Sequence, residues 1–265
     1  MSTETTRRSG PVRVESLDLS PTSFAVHGRH ERWSVRFDRR VVVVCTALAV
    51  TLVAVFLVSL AVGDYSISVP DVVRTLAGNP PDPLAEFIVN GRRLPRALVA
   101  FLVGAALGAS GAVFQSLSRN PLGSPDIIGF TQGASAGAVF IILVAGGGLA
   151  QVALGAIVGG LLTATAVYLL AYKRGVQGFR LILVGIAVGA MLTSAVHYML
   201  MRAELMEAAG AKVWLTGSLN TRGWSHVVAV GIGMAIVFPL LLVLARPMRI
   251  IEMGDDAAIS LGVNA

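Results

Sequence analysis

Charge is what this sequence has least of. Asp, Glu, Lys and Arg make up 14% of its 265 residues, where soluble domains carry roughly 25%. Hydrophobic residues reach 55% and the mean hydropathy is +0.75, which excludes an ordinary soluble domain and implies an integral membrane protein. Cysteine is nearly absent as well. Cys45 stands alone inside an apolar run, so neither an internal disulfide nor a multi-cysteine metal site can form. Aromatics are 6%, and the arginines behind the net charge of +6 are not gathered into a patch with stacking rings, so nucleic acid is not an expected partner. Nowhere does G-x-x-x-x-G-K-S/T occur, which leaves the chain without a phosphate-binding P-loop.

What is there is a set of uncharged runs. Residues 41–62, 97–117, 127–144, 151–172, 181–201 and 227–244 contain no Asp, Glu, Lys or Arg. At 1.5 Å per residue, about 20 residues cross a hydrocarbon core of about 30 Å. The fold class expected is therefore all-α: a polytopic bundle of six transmembrane helices embedded in lipid. Residues 1–40 differ in kind, with eight arginines against five acids, and are expected to form a disordered polar extension separate from a membrane domain over 41–265. The first apolar run is longer than the roughly 7–15 residues of a secretory signal and starts late, so it reads as an uncleaved anchor. Arg36, Arg39 and Arg40 crowd its front edge and favour a cytoplasmic N-terminus. Six spans then put Arg119, Lys173, Arg174, Arg180, Arg246 and Arg249 on the inside, in accord with the same rule. Arg92, Arg93 and Arg96 fall in an outer loop over 63–96, against the rule, and a local breach of it points to a use.

The stretch from Arg93 to Gly137 organises the rest. After Leu117 come Ser118, Arg119 and Asn120, then Pro121, Gly123 and Pro125, which forbid a continued helix; a second helix is expected to start near Ile127. Glycine pairs at i, i+4 recur in four spans: Gly104 and Gly108, Gly133 and Gly137, Gly155 and Gly159, Gly185 and Gly189. Such faces let helix backbones approach closely, and a subunit interface or a passage could use them too. His197 is the one ionisable group clearly inside a span. Trp214 and Trp224, in the polar segment 202–225, suit a membrane interface. In 248–265, Asp255 can open and Gly262 can end a short cytoplasmic helix.

These blocks resemble the permease subunits of bacterial ABC importers for iron siderophores and vitamin B12. The match lies in Arg93-Leu94-Pro95-Arg96, in Gly104-Ala105-Ala106-Leu107-Gly108-Ala109-Ser110-Gly111 with Gln115, in Arg119-Asn120-Pro121-Leu122-Gly123-Ser124-Pro125, and in the later 181–190, 213–220 and 253–263. From about Val41 onward the resemblance covers the chain. It implies a transport subunit rather than an enzyme, sited in the cytoplasmic membrane, with about ten spans in the whole family fold, so about four helices beyond Ala265. The partners it implies are a second permease subunit, two cytoplasmic ATPase subunits that use the ATP, and an extracytoplasmic substrate-binding protein. No cofactor is implied on this chain, and no metal.

Residue by residue, the resemblance assigns binding-protein docking to Arg93 and Arg96. ATPase coupling falls to Gly254, Asp255, Asp256, Ala258, Leu261 and Gly262. It puts Gly104, Gly108, Ser110, Gly111, Gln115, Gly185, Gly189 and His197 in helix packing or the translocation path, and Arg119, Asn120, Pro121 and Pro125 in a cytoplasmic loop motif. The run 119–130 looks most like permeases for ferric enterobactin and related catecholates, with cobalamin or haem as the alternatives. A different class also has a formal match: Gly108-Ala109-Ser110-Gly111 fits the G-x-S-G of rhomboid intramembrane proteases, with His197 as base. The surroundings of His197 lack the small residues of the AH-x-x-G setting, and Ser110 is equally a small packing residue.

Overall fold

The computed structural model describes residues 13–16, 23–27, 34–172, 178–252, 254 and 260, with side chains from Asp38 onward. Two compact units emerge, Met1–Arg93 and Leu94–Ala265.

In the first unit, three short strands, β1 Arg13–Ser16, β2 Ser23–His27 and β3 Ser34–Asp38, pair antiparallel in that order. The extension expected to lack structure is thus strand-bearing in part. Alternating Val, Phe and polar residues such as Ser34-Val35-Arg36-Phe37-Asp38 give it the period of two that a strand needs. Helix α1, Arg39–Ala61, follows directly, its first amides capped by Asp38, whose carboxylate accepts from the Arg40 amide at 2.8 Å. The loop beyond it is not unstructured. Ser68 caps α2 (Val69–Leu76) and Asp82 caps α3 (Pro83–Ile88), each helix carrying a proline in its first turn, where no amide is missed. One π-helical turn, Val89–Arg93, completes the unit.

The second unit holds α4 (Leu94–Ser118), α5 (Phe130–Phe140) extended by a π turn over Ile141–Ala145, α6 (Leu149–Ala171), α7 (Gly178–Arg202), α8 (Leu205–Thr216) and α9 (Trp224–Ile251). α5 packs most densely on α6 and also on α7, and α4 pairs with α9. From Arg39 on, the described residues form helices and turns without strands. Among the described residues, five helices are long and apolar enough to cross a membrane: α1, the run Pro83–Ser118, α6, Phe179–Arg202 and α9. None of the most apolar window of α1 or α9 is buried within the chain, so their valine and leucine surfaces call for lipid or further protein around them.

The six expected spans therefore become five long helices and one short one. Phe130–Ala145 has the composition of a span but falls short in length: its 16 residues reach about 24 Å even as ideal α-helix. The cause lies at its start. The helix does not begin at Ile127, because residues 125–129 stay in turns and Gly129 adopts φ +84° as the N-cap. Ile128 and Gly129 are buried, and this irregular backbone is covered by α7, the setting in which non-helical chain is tolerated at membrane depth. The segment 202–225, expected only as polar loop, carries the whole of α8.

Candidate functional site

The arginines at the entry to the second apolar run have different tasks. In the first unit, Arg93 is half-buried and its guanidinium points back to the end of α1. Nη1 donates to the Leu60 carbonyl at 2.8 Å and the Ala61 carbonyl at 3.0 Å, while Nη2 donates to the Tyr65 carbonyl at 2.5 Å. Arg92 lies with its guanidinium 5.9 Å from the centre of the Phe87 ring and is exposed. In the second unit, Arg96 is exposed on the first turn of α4. Thus Arg96 is exposed with no ion pair among the described residues, and Arg93 holds a helix end. Motif matching cannot see the second role, since the acceptors lie 28 to 33 residues away.

At the far end of α4 the loop motif forms a defined stop. Arg119 takes φ +49°, its amide donates to the Ser116 carbonyl and the Asn120 amide to the Gln115 carbonyl, both at 3.2 Å. This is the pair of reversed bonds that closes a helix with a left-handed residue, a place usually taken by glycine. Asn120 then folds the chain by accepting the Leu122 amide at 2.9 Å on its side-chain oxygen, and Pro121 bars any continuation. Gly123 has to be small: a Cβ there would sit 3.0 Å from the Phe114 carbonyl oxygen. Pro125 is half-buried at the start of the turn that leads to α5, where Asp126 accepts from the Thr131 hydroxyl. Close by, the Ser116 hydroxyl donates to the Glu252 carboxylate and ties the end of α4 to the end of α9.

The glycine pairs divide. Cβ atoms built at Gly133 and Gly137 would meet the backbone of α6 at Gly159 (2.8 Å) and Gly155 (2.9 Å), and one at Gly185 would meet Ile128 at 2.6 Å. Gly189 lies against Gly129 at 3.4 Å. Three of the four pairs are therefore helix contacts inside this chain. Gly104, Gly108 and Gly111 instead face open space among the described residues, none of which comes within 4 Å of a Cβ there. Gln115 is exposed.

Between the start of α5 and the middle of α7 an open cavity of about 460 Å³ is lined by Asp126, Gln132, Gly185, Gly189 and Thr193. The Gln132 side-chain oxygen faces no hydrogen-bond partner among the described residues. Ser110 lines an apolar groove against Met234, Val237 and Phe238 of α9, whereas His197 is exposed on α7; no hydrogen bond joins the two among the described residues. That arrangement gives Ser110 no base. Of the coupling residues, Gly254 takes φ +113°, and Asp255, Asp256, Ala258, Leu261 and Gly262 lie outside the described residues.

A multi-pass helical bundle whose helices close on glycine, with a small-residue face on α4 that no described residue covers, is a build that suits a membrane transport permease. Residues 51–265 match the FecCD transport family, and the chain belongs to it. It is 41% identical over 227 residues to the ferric enterobactin transport system permease protein of Escherichia coli, covering 86% of this chain and 68% of that one. The achromobactin transport system permease protein of Dickeya dadantii is also 41% identical, over 234 residues, with 86% and 67% covered. The Fe(3+)-citrate import system permease protein of Bacillus subtilis is 34% identical over 233 residues, with 88% and 69% covered. Among solved structures, a metal-chelate type ABC transporter in an inward-facing conformation superposes with a TM-score of 0.73 at 29% identity, over 83% of this chain and 68% of that one. The chain thus spans about two thirds of the length of these relatives.

Proposed function

We propose that this chain is the permease subunit of an ABC importer that carries a ferric siderophore of the catecholate kind across the cytoplasmic membrane. One observation carries the substrate: the 41% identity shared with the enterobactin and achromobactin permeases over 86% of the chain. The N-terminus is cytoplasmic, as the arginines ahead of α1 favour. A substrate-binding protein docks from outside on the Arg93 and Arg96 entry, a second permease subunit completes the passage, and two ATPase subunits seat the segment after α9 through Gly254, Asp255, Asp256, Ala258, Leu261 and Gly262. The chain supplies no P-loop, so ATP is hydrolysed by those partners and the passage changes sides as they close. Gly104, Gly108 and Gly111, which none of the described residues covers, offer a close-approach face to the rest of the assembly. Ser110, Gln115 and His197, with Gly185 and Gly189 beside the cavity, are assigned to packing or to the route itself.

The test is uptake. In a strain deleted for its catecholate permease and keeping that system's other subunits, expression of the gene that encodes this chain should restore accumulation of radioiron from ferric enterobactin and leave cobalamin and haem uptake at background. Restored cobalamin or haem uptake without iron would overturn the substrate.

A further inference from the structure

The end of α1 lacks what a helix C-terminus normally recruits. Its last turn contains no basic residue; the Ala61 carbonyl accepts the Ile67 amide at 3.1 Å from the loop beyond, and the Leu60 carbonyl has no main-chain donor among the described residues. Arg93 supplies both charge and donors from 32 residues downstream: two N–H groups of Nη1 go to those carbonyls and one of Nη2 goes to Tyr65 in the turn beyond. Three of its five donors are used on main chain. The space for the guanidinium is reserved by Gly63, since a Cβ at that residue would lie 2.5 Å from Nη2 and 3.0 Å from Cζ of Arg93. Leu60 is fully buried under this contact and Val89, one turn before Arg93, is fully buried too.

We infer that Arg93 is a positioning residue, a clamp whose planar fork fixes residues 60–65 against the 89–93 turn and so sets the shape of the loop between them. This rests on the docking reading in one respect only, that the loop it shapes receives the binding protein. Charge alone does not make the clamp. A lysine at 93 keeps the cation but has one nitrogen, and cannot reach three carbonyls in a fixed fork.

The experiment uses the full transporter in nanodiscs, with the importer's own binding protein, and compares Arg93→Lys, Gly63→Val, Arg96→Lys and Arg96→Glu. Without binding protein, amide exchange over 62–67 should quicken about tenfold in Arg93→Lys and Gly63→Val, as charge-assisted bonds are lost, and stay at the wild-type rate in Arg96→Lys. With it, the two clamp variants should raise the binding-protein concentration for half-maximal ATPase stimulation about tenfold and keep the maximal rate. The dependence of that concentration on salt should be unchanged, because the number of charges is the same. Arg96→Glu should weaken capture and flatten the salt dependence. Wild-type exchange in Gly63→Val, a wild-type response in Arg93→Lys, or a fall in maximal rate without a shift in half-saturation overturns the clamp. If Arg96→Glu leaves capture untouched, the docking reading fails while exchange over 62–67 still decides the clamp.

Discussion

Gly137→Ala is a sharp probe of how this bundle is held together, because one methyl group is asked to fit where two backbones touch. The new Cβ would run into the Gly155 carbonyl oxygen and lie 2.9 Å from its carbon and 3.2 Å from Gly159 Cα, where ordinary contacts need about 3.5–4.0 Å. To admit it, α5 and α6 must part by at least about 1 Å, and even a gap of about 0.5–1 Å forfeits a quarter to a half of each dispersion well along the seam. Overpacking of this kind costs about 1–3 kcal/mol, while alanine regains about 0.5–1 kcal/mol of helix propensity. The ranges leave up to about 2.5 kcal/mol, and the contact with backbone oxygen puts the loss in the upper part, about 1–2.5 kcal/mol, or an apparent Tm lower by roughly 2–10 °C for a chain of this size. Gly104→Ala makes the same chemical change on α4 with nothing within 4 Å, so in the isolated chain it should hold or raise the Tm. The assay is intrinsic fluorescence melting of both variants in one detergent. An unchanged Tm for Gly137→Ala, or a larger loss for Gly104→Ala, would refute the assignment of the α5–α6 seam to glycine contact.

Three further outcomes follow from the ends of the helices. Gly123→Val should lower stability by about 2 kcal/mol, since its side chain would enter the turn held by Phe114 and Asn120; melting checks it, and Gly111→Ala, on open space, is the neutral control. Ser116→Ala and Glu252→Gln should each cost about 0.5–1 kcal/mol, as their bond is exposed, and the double variant should cost less than the sum, which a double-mutant cycle by melting would show. Gly254→Trp combined with Ala258→Trp should abolish co-purification of the ATPase and iron uptake while leaving the membrane content of the chain normal; intact ATPase assembly would remove the coupling role from the segment after α9.

Composition and run length were enough for the class and for five of the spans, because crossing a bilayer is a constraint on every residue of a helix at once. They overestimated the sixth. Nothing in the uncharged run from Ile127 to Val144 distinguishes a helix that begins at Ile127 from one that begins at Phe130; the start is set by Gly129, whose left-handed backbone is fixed by contact with Gly185 and Gly189 some 56 to 60 residues on. α8 was missed for a related reason. Its sequence, LMEAAGAKVWLT, is too short and too polar for a span, and helix propensity without a span-length signal reads as loop. Glycine spacing was informative about three of the four pairs, which form two seams, and silent about the Gly104–Gly108 pair, since the i, i+4 pattern states which face is small and not what covers it.

The site residues separate along the same line. Where the local chain decides, as in the 119–125 stop, the break itself can be named in advance from Pro121, Gly123 and Pro125, and the structure adds how it is made: Asn120 folds the turn and Gly123 yields space. Where function depends on distant chain, only the anomaly shows. Arg93 stood out as charge on the disfavoured side of a membrane, and a cation there was expected to face a partner. Its acceptors turn out to be the last carbonyls of α1, where the Ile67 amide reaches that of Ala61 and Arg93 supplies the further donors to Leu60 and Ala61. The charge bias that makes the outer arginines conspicuous therefore has two separate remedies, one inside the fold at Arg93 and one left open at Arg96, and only the second retains its whole charge for a partner.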